Sequence, residues 1–381
     1  MIVGVPSENQ AIERRVPLLP AEVKKLAALG LKVQVEAGLA APLAIPDSDY
    51  TSAGAEVRAC KSALLAEADI LLRLNVPCPE ELSQVSPRAL HISYLAPFQS
   101  QELLQICLKK HISALSMELI PRITRCQAMD ALTSQASLAG YVAVLLAAQY
   151  LPRVFPMMST PAGTLQAARV LVIGAGVAGL QAIATARRLG ARVEACDLRP
   201  EATEQIQSLG ARALKLNLVP SQANAEGYLT QISEGQLQQQ QQGLAEVLGH
   251  MDVVITTAQV FGKKAPLILT DSLLDALKPG SVVVDGAVDS GGNVAGIQAN
   301  QVIVRQGVTL VGFRNLPGRV PRDASQMYSA NLYYLLKELW DAEKKDLILD
   351  RSNALVNAAL VTCQGEVCQA TIKQYWQGRL A

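Results

Sequence analysis

The most informative stretch of this sequence is Arg169-Val-Leu-Val-Ile-Gly174-Ala-Gly176-Val-Ala-Gly179-Leu180. An apolar, β-branched run leads into glycines spaced G-x-G-x-x-G, and a helical pattern follows. In a strand–turn–helix unit, Gly174 permits the tight turn, Gly176 lets a pyrophosphate approach the backbone, and Gly179 lets the helix pack on the strand. The stretch therefore predicts a dinucleotide site at the start of a helix.

Further cofactor-binding residues follow from this site. Val177 and Ala178 open the helix, where free N–H groups and a partial positive charge attract phosphate. Asp197 ends the next predicted strand, 18 residues beyond Gly179, where a carboxylate binds the adenosine ribose hydroxyls. A 2′-phosphate would meet a like charge there, so we expect NAD(H); Arg199, close by, weakens that preference because arginine can accept a 2′-phosphate. The candidates also include Leu198, Thr257 and Ala258.

Short apolar strands alternate with helical segments on both sides of this site. We predict strands at 2–5, 32–36, 70–74, 89–95 and 113–117, and again at 169–173, 192–196, 213–216, 252–256, 281–285 and 309–311. This alternation is typical of parallel sheets covered by helices on both faces. The predicted fold class is α/β, with two doubly wound, mainly parallel, Rossmann-like domains and a cleft between them. The predicted domains are 1–132 plus 321–381, joined by a long helix from about Ala324 to Glu343, and the NAD(H)-binding domain 133–320.

Composition excludes several classes of function. The 381 residues include 34 basic and 33 acidic ones, a net charge of +1, which gives no basic nucleic-acid footprint. Aromatic residues are only 4%, too few for base-stacking platforms. The seven cysteines are odd in number and scattered, which fits reduced thiols. No signal peptide is expected, and the uncharged stretch 131–152 is continuously apolar only over 138–148, so we interpret it as a buried helix.

The G-x-G-x-x-G segment 174–179 is called the fingerprint below. Together with the segments that follow, it makes the chain resemble the family of alanine dehydrogenases and the NAD(H)-binding components of proton-translocating transhydrogenases. Matching segments are Val5-Pro-Ser-Glu-Asn with Glu13-Arg-Arg-Val-Pro-Leu-Leu-Pro20, then 174–190, Ile255-Thr-Thr-Ala, Lys278-Pro-Gly-Ser-Val-Val-Val-Asp285 and Asn315-Leu-Pro-Gly-Arg-Val-Pro. They run through nearly all of the chain.

Two branches of this family differ in their chemistry. The resemblance implies that an alanine dehydrogenase needs an arginine, a lysine and a histidine in the first domain. Arg15 fills the first position, but Arg73 stands at the lysine position and Ala96 at the histidine position. A guanidinium does not readily give up a proton, and the three histidines, at 91, 111 and 250, lie off the motif. Asp289 points the other way, because alanine dehydrogenases have aspartate there and transhydrogenases commonly glutamate.

A second segment matches the transhydrogenase branch: Pro121-Arg122-Ile-Thr-Arg-Cys-Gln127-Ala-Met-Asp130-Ala-Leu-Thr133-Ser-Gln135. We interpret it as a loop before a helix in which Arg122 and Asp130 pair, while the Gln127 amide matches a nicotinamide carboxamide. The resemblance implies that this loop holds the nicotinamide, and it makes Arg122, Gln127, Asp130 and Thr133 the catalytic candidates. The family usually has serine at the position of Thr133. By the same resemblance, Tyr228 belongs to a mobile loop that closes over bound nucleotide.

The resemblance implies direct hydride transfer between NAD(H) on this chain and NADP(H) on a partner subunit. It also implies membrane-embedded subunits that move protons, a homodimer, and a peripheral position on the cytoplasmic side of a membrane. Two alternatives stay open at this point: a stand-alone alanine-dehydrogenase-like enzyme, and an NAD(H)-sensing protein without chemistry of its own.

Overall fold

The chain divides into two units, residues 1–135 with 318–381 (unit 1) and residues 136–317 (unit 2). The computed structural model describes residues 1–87, 89–214 and 243–378. The domain boundaries drawn from the sequence, 132 and 321, compare with 135 and 318 in the structure. Strands and helices are numbered below in chain order through both units.

Unit 1 is built on an eight-stranded sheet with the order β19-β18-β6-β5-β4-β1-β2-β3. The strands are β1 (Ile2–Val5), β2 (Lys32–Glu36), β3 (Glu56–Arg58), β4 (Ile70–Leu72), β5 (Leu90–Ser93), β6 (Ser113–Ser116), β18 (Leu360–Cys363) and β19 (Glu366–Val367). All pairs are parallel except those of β18 with β6 and with β19. A separate pair is β16 (Trp340–Asp341) with β17 (Asp346–Leu347).

Helices cover both faces of this sheet. They are α1 (Pro20–Ala28), α2 (Asp47–Ser52), α3 (Lys61–Glu67), α4 (Pro79–Gln84), α5 (Gln101–Lys110), α11 (Pro321–Leu339), α12 (Ala354–Ala359) and α13 (Ala370–Tyr375). Side chains alternate along β4: Ile70 and Leu72 join the core under α1 and α11, whereas Leu71 joins the core under α3 to α5. This period of two is why parallel strands buried on both faces consist of continuous apolar runs.

Unit 2 is built on a seven-stranded sheet with the order β11-β10-β9-β12-β13-β15-β14. The strands are β9 (Arg169–Ile173), β10 (Arg192–Cys196), β11 (Arg212–Ala213), β12 (Val253–Thr256), β13 (Val282–Asp285), β14 (Val302–Arg305) and β15 (Val308–Val311). Only the β14–β15 pair is antiparallel. The helices are α7 (Val177–Arg188), α8 (Ala202–Ser208), α9 (residues 243–248) and α10 (Asp271–Leu274), and β7 (Met158–Thr160) with β8 (Gly163–Leu165) forms a hairpin.

Both sheets share the doubly wound strand order. In unit 2 the first strand, β9, lies between β10 and β12, and in unit 1 the first strand, β1, lies between β2 and β4. The direction of winding reverses beside β9 and beside β1, and ligands of such sheets bind at the carboxyl edge at this switch point. The predicted fold class of two mainly parallel Rossmann-like domains is confirmed.

Helix α6 (Ala131–Tyr150) begins in unit 1 and continues into unit 2. Within the described parts of the chain it is the one helix long and apolar enough to cross a membrane, and 44% of its most apolar window is buried. A core helix has the same length and composition. The helix begins directly after Asp130, whose carboxylate accepts the backbone N–H of Thr133 at 2.9 Å.

Candidate functional site

The glycine turn of unit 2 has the geometry of a phosphate cradle. Gly174 has φ +96°, and a Cβ there would lie 2.9 Å from the hydroxyl oxygen of Thr257. A Cβ on Gly179 would lie 1.8 Å from the carbonyl oxygen of Gly174, so α7 packs directly on the turn. A Cβ on Gly176 would meet nothing within 4 Å. Two glycines are therefore required by the fold, and Gly176 leaves open space beside the helix N-terminus.

Helix α7 opens at this turn. Gly176 is its N-cap residue, and its first turn carries Val177 and Ala178. The first amides of an α-helix have no intrahelical acceptor, and a helix of 12 residues presents a partial positive charge at this end. The open space at Gly176 thus adjoins hydrogen-bond donors suited to an anion, and a dinucleotide fits this part of the structure.

Asp197 lies just beyond β10, beside the turn. Its Oδ2 accepts the backbone N–H of Ala175 at 2.6 Å, and its Oδ1 accepts the backbone N–H and Nε of Arg199 at 2.8 and 3.0 Å. Burial favours the neutral carboxyl, but these hydrogen bonds outweigh it and hold the pKa of Asp197 below its usual value. The residue is therefore ionised at neutral pH. The Arg199 side chain is 58% exposed, so it remains accessible to solvent while paired.

The loop after β12 contacts the glycine turn from the other side of the switch point. Thr257 donates its hydroxyl to the carbonyl of Gly174 at 3.0 Å. The backbone N–H of Ala258 donates to Oδ1 of Asn293 at 3.1 Å, and Nδ2 of Asn293 donates to the carbonyl of Ala258 at 2.8 Å. Thr257 and Ala258 thus lie against the fingerprint. Leu198 is exposed beside Asp197.

Asp285 organises this edge, a role that sequence reasoning missed. Its carboxylate is fully buried and accepts backbone N–H groups of Ala287 and Asn293 at 2.8 and 2.7 Å. Burial is the main influence and raises the pKa of Asp285 in spite of these bonds. Its position at the end of a buried strand before Gly-Ala-Val-Asp-Ser-Gly-Gly was the available signal. Tyr228, the predicted lid residue, lies outside the described residues.

The second candidate segment, residues 121–135, belongs to unit 1. Residues Thr124–Met129 form a 3-10 helix, and α6 follows immediately. Asp130 caps α6: its Oδ1 accepts the backbone N–H of Thr133 at 2.9 Å, and its Oδ2 accepts the Thr133 hydroxyl at 2.6 Å. Arg122 and Gln127 are exposed on the same segment.

The expected pairing of Arg122 with Asp130 is wrong. Within the described chain, Arg122 makes no ion pair with Asp130, whose two carboxylate oxygens bind Thr133 instead. A carboxylate at the N-cap position satisfies helix amides and faces the positive end of the helix dipole. The local cap therefore prevails over an ion pair that sequence spacing alone suggests.

The positions that would run an amino-acid dehydrogenation hold other chemistry. The Arg73 side chain is 4% exposed and its guanidinium lies 2.6 Å from a carboxylate oxygen of Glu81. Ala96 has φ +44°, and its backbone N–H donates to Glu118. His91 is buried on β5, and burial together with Arg73 lowers its pKa to about 3. The described residues at these positions thus differ from the lysine and histidine that the alanine dehydrogenase branch is expected to use.

Asp289 lies at the edge of unit 2 rather than in its core. It is exposed, accepts the backbone N–H of Asn315 at 3.1 Å, and lies 3.9 Å from the Arg314 guanidinium. Among the described residues no group of three or more histidine, cysteine, aspartate and glutamate side chains is arranged to hold a metal ion.

Three features together define a dinucleotide-binding protein of the Rossmann class. They are the glycine turn at the switch point, the open position at Gly176, and the ionised Asp197 after β10. Family models named alanine dehydrogenase/PNT match residues 4–139 with the N-terminal domain and residues 143–370 with the C-terminal domain. The chain belongs to the alanine dehydrogenase/PNT family, and the resemblance inferred from the sequence is confirmed.

Individual relatives favour one branch. The chain is 38% identical over 374 residues to the first segment of NAD(P) transhydrogenase subunit alpha of Rhodospirillum rubrum, covering 96% of this chain and 97% of that protein. The crystal structure of transhydrogenase from Sinorhizobium meliloti superimposes with a TM-score of 0.86 at 42% identity, covering 96% of this chain and all of the other. Identity with the alanine dehydrogenase of Bacillus subtilis is 27% over 378 residues, covering 96% and 92%.

Proposed function

We propose that this chain is the NAD(H)-binding component of a proton-translocating transhydrogenase. In this proposal NAD(H) binds at the fingerprint of unit 2, the segment 121–135 holds a nicotinamide ring, and a hydride passes directly to or from NADP(H) on a partner subunit. The catalytic assignments to Arg122, Gln127, Asp130 and Thr133 belong to this proposal, as do the cofactor contacts of Asp197, Leu198, Thr257, Ala258 and Tyr228.

One observation carries the choice between the two branches of the family. Arg73, ion-paired with Glu81, and Ala96 stand where an amino-acid dehydrogenase needs a lysine and a histidine. Reductive amination requires proton transfer by a positioned side chain. Direct hydride transfer between two rings requires only their close approach and alignment, which a binding scaffold provides without acid–base groups. The higher identity with transhydrogenases supports the same choice.

Asp197 supports NAD(H) over NADP(H) for this chain. Its carboxylate is ionised and bonded to the turn that would receive the diphosphate. A ribose 2′-hydroxyl can donate to such an oxygen, whereas a 2′-phosphate would be repelled by it. NADP(H) is accordingly assigned to the partner subunit.

The remaining elements of the proposal concern assembly. Transhydrogenase relatives are named as subunits, so this chain would work with an NADP(H)-binding subunit and with membrane-embedded subunits that carry the proton path. We also propose a homodimer held at the cytoplasmic side of a membrane through those partners. No nucleic acid is expected as a partner, because the net charge is +1.

The test compares two reactions of the purified chain. Mixed with a matching NADP(H)-binding component, it should support hydride exchange between NADH and an NADP⁺ analogue. Supplied instead with NADH, pyruvate and ammonia, it should oxidise NADH no faster than buffer does. Gly176→Val tests the site, because a Cβ at this position meets nothing within 4 Å and the larger side chain enters the open space beside α7, so the exchange should be lost.

Each rival predicts a different outcome. Robust NADH oxidation with pyruvate and ammonia would identify an alanine-dehydrogenase-like enzyme and overturn the proposal. Tight NADH binding without either reaction would identify an NAD(H)-sensing protein. Exchange that persists undiminished in Gly176→Val would show that the fingerprint is not the site.

A further inference from the structure

A buried polar clamp joins α11 to the segment 121–135 of unit 1. Asn331 lies on α11, is 7% exposed, and is separated from the segment by about 200 residues of chain. Its Nδ2 donates to the backbone carbonyl of Ala128 at 2.7 Å, and its Oδ1 accepts the hydroxyl of Ser134 at 2.8 Å. One side chain thus binds the segment both before and after the Asp130 cap.

The residues that Asn331 binds are direct chain neighbours of two proposed catalytic ones. Ala128 follows Gln127 directly, and Ser134 follows Thr133 directly. Both hydrogen bonds come from one rigid amide group, so they fix the distance between the 3-10 turn and the first turn of α6. A short 3-10 helix has poor internal hydrogen-bond geometry, and its position depends on such outside contacts.

The clamp is supported from behind by a second buried group. Gln135 accepts a hydrogen bond from Arg15 at 2.9 Å and donates to the carbonyl of Ala324 on α11 at 3.0 Å. Arg15 is itself held by Glu13 through two bonds of 2.9 and 2.7 Å. The start of α6 is therefore tied to α11 at two successive residues, Ser134 and Gln135, and cannot shift without breaking buried bonds.

We infer that Asn331 is a positioning residue for the segment that carries Arg122 and Gln127, and that it sets the rate of hydride exchange without touching the reacting rings. The second half of this inference rests on the proposed function. A displacement of about 1 Å at a reacting centre costs up to about 100-fold in rate, so loss of the clamp should lower the maximal exchange rate by about 10- to 100-fold.

The experiment uses the full chain and three variants. Asn331→Ala removes both bonds, and Asn331→Asp keeps an acceptor for Ser134 while removing the donor to Ala128. Ser329→Ala is the matched control: Ser329 is fully buried on the same helix and makes two hydrogen bonds, but to Leu19 and Glu22 rather than to the segment.

Two readouts are measured for each variant. Amide hydrogen exchange of residues 122–133 should accelerate in both Asn331 variants and stay at the wild-type rate in Ser329→Ala. The maximal rate of hydride exchange with the NADP(H)-binding component should fall, with the NADH dissociation constant within about threefold of wild type, because the fingerprint belongs to unit 2. If Asn331→Ala does not fold, Asn331→Asp decides the question, since its side chain is nearly isosteric.

The possible failures are distinguishable. Equal amide exchange in the Asn331 and Ser329 variants overturns the positioning role. Faster amide exchange with an undiminished hydride rate overturns the link between position and rate. A wild-type chain that supports no hydride exchange overturns the proposed function, while the amide exchange of residues 122–133 still decides whether Asn331 holds them.

Discussion

Replacing Asp197 by asparagine should reverse much of the preference between NADH and NADPH. Asparagine has the same shape and keeps an oxygen for the backbone N–H of Ala175, which the carboxylate now binds at 2.6 Å. The variant should therefore fold normally. What it loses is the negative charge that faces a ribose 2′-hydroxyl in the proposed complex.

The structure sets the size of the effect. A hydrogen bond to a charged group contributes about 1.5–3 kcal/mol, which corresponds to a fall of about 10- to 100-fold in NADH affinity. The ion pair of Asp197 with Arg199 involves a guanidinium side chain that is 58% exposed, so its loss costs at most about 1 kcal/mol. Arg199 is then free to meet a 2′-phosphate, and NADPH should bind more tightly than it does to the wild type.

Binding of both nucleotides is measured by calorimetry for four chains. Besides the wild type and Asp197→Asn, these are the double variant with Arg199→Ala and the control Glu194→Gln. Glu194 lies on β10, the strand that precedes Asp197, and it pairs with an arginine, Arg169, at 2.8 Å. The double variant should lose the NADPH gain, and Glu194→Gln should bind both nucleotides as the wild type does. Unchanged NADH affinity in Asp197→Asn would refute the assignment of Asp197 to the ribose.

Three further predictions concern the glycine turn of unit 2, the ion pairs of Asp252, and the segment 121–135. Gly176→Ala should weaken NADH binding and change the free energy of unfolding by less than about 0.5 kcal/mol. Gly179→Ala should lower the free energy of unfolding by about 1–3 kcal/mol, because its Cβ would lie 1.8 Å from the Gly174 carbonyl oxygen. Equal urea midpoints for the two variants would contradict this expectation. Desolvation opposes ionisation of Asp252, but Lys278 and Arg153 hold its pKa below the usual 3.8, so its stabilisation is present above that value and is lost as the pH falls through the folded-state pKa. Because the Lys278 and Arg153 side chains are 41% and 38% exposed, solvent weakens these pairs, and Asp252→Asn should lower the free energy of unfolding by about 1 kcal/mol at pH 7. The difference should shrink in acid; a difference independent of pH would show that charge is not the cause. Arg122→Ala should abolish hydride exchange and keep NADH affinity within about an order of magnitude. Because Arg122 is exposed, the urea midpoint should not change. Undiminished exchange would show that Arg122 is not a residue of the catalytic site.

Local sequence patterns predict much of this fold because they reflect local causes. The sequence predicts β1, β2, β9 and β10 with the bounds that the structure shows, since β-branched runs between turn residues specify buried parallel strands. Helix α11 (Pro321–Leu339) was expected at about 324–343, and it lies in unit 1. Two of the fingerprint glycines are predictable from local backbone geometry: Gly174 takes φ +96°, and Gly179 lies against the carbonyl of Gly174 in the same turn.

Contacts between distant residues are not predictable in this way. Strand β18 joins β6 from about 250 residues away, and nothing in its short sequence specifies an antiparallel partner. Asn331 resembles any polar residue in a helix, and its two bonds depend on where α11 packs. Asp285 gave a partial signal at the end of a buried strand, but three of its four hydrogen bonds arise from the fold of the following loop and the fourth comes from Thr256 on β12.

Asp130 binds Thr133 rather than Arg122, and this limits the contacts that each residue of the segment 121–135 can make with a nicotinamide. Thr133 donates its hydroxyl to Asp130, so toward a nicotinamide carboxamide this hydroxyl acts as an acceptor unless it gives up that bond. The cap itself is the bond from the backbone N–H of Thr133 to Asp130, and it contributes about 1 kcal/mol. Arg122 and Gln127 are exposed and would give up no such bond. A guanidinium that is exposed to water needs no ionic partner. If a partner subunit covers it, it must pair with an opposite charge or an acceptor, because burying an unpaired charge costs several kcal/mol of free energy. Under the proposed function, Arg122 and Gln127 therefore supply the hydrogen-bond donors to the ring or its carboxamide, while Asp130 and Thr133 offer acceptors in addition to capping the start of α6.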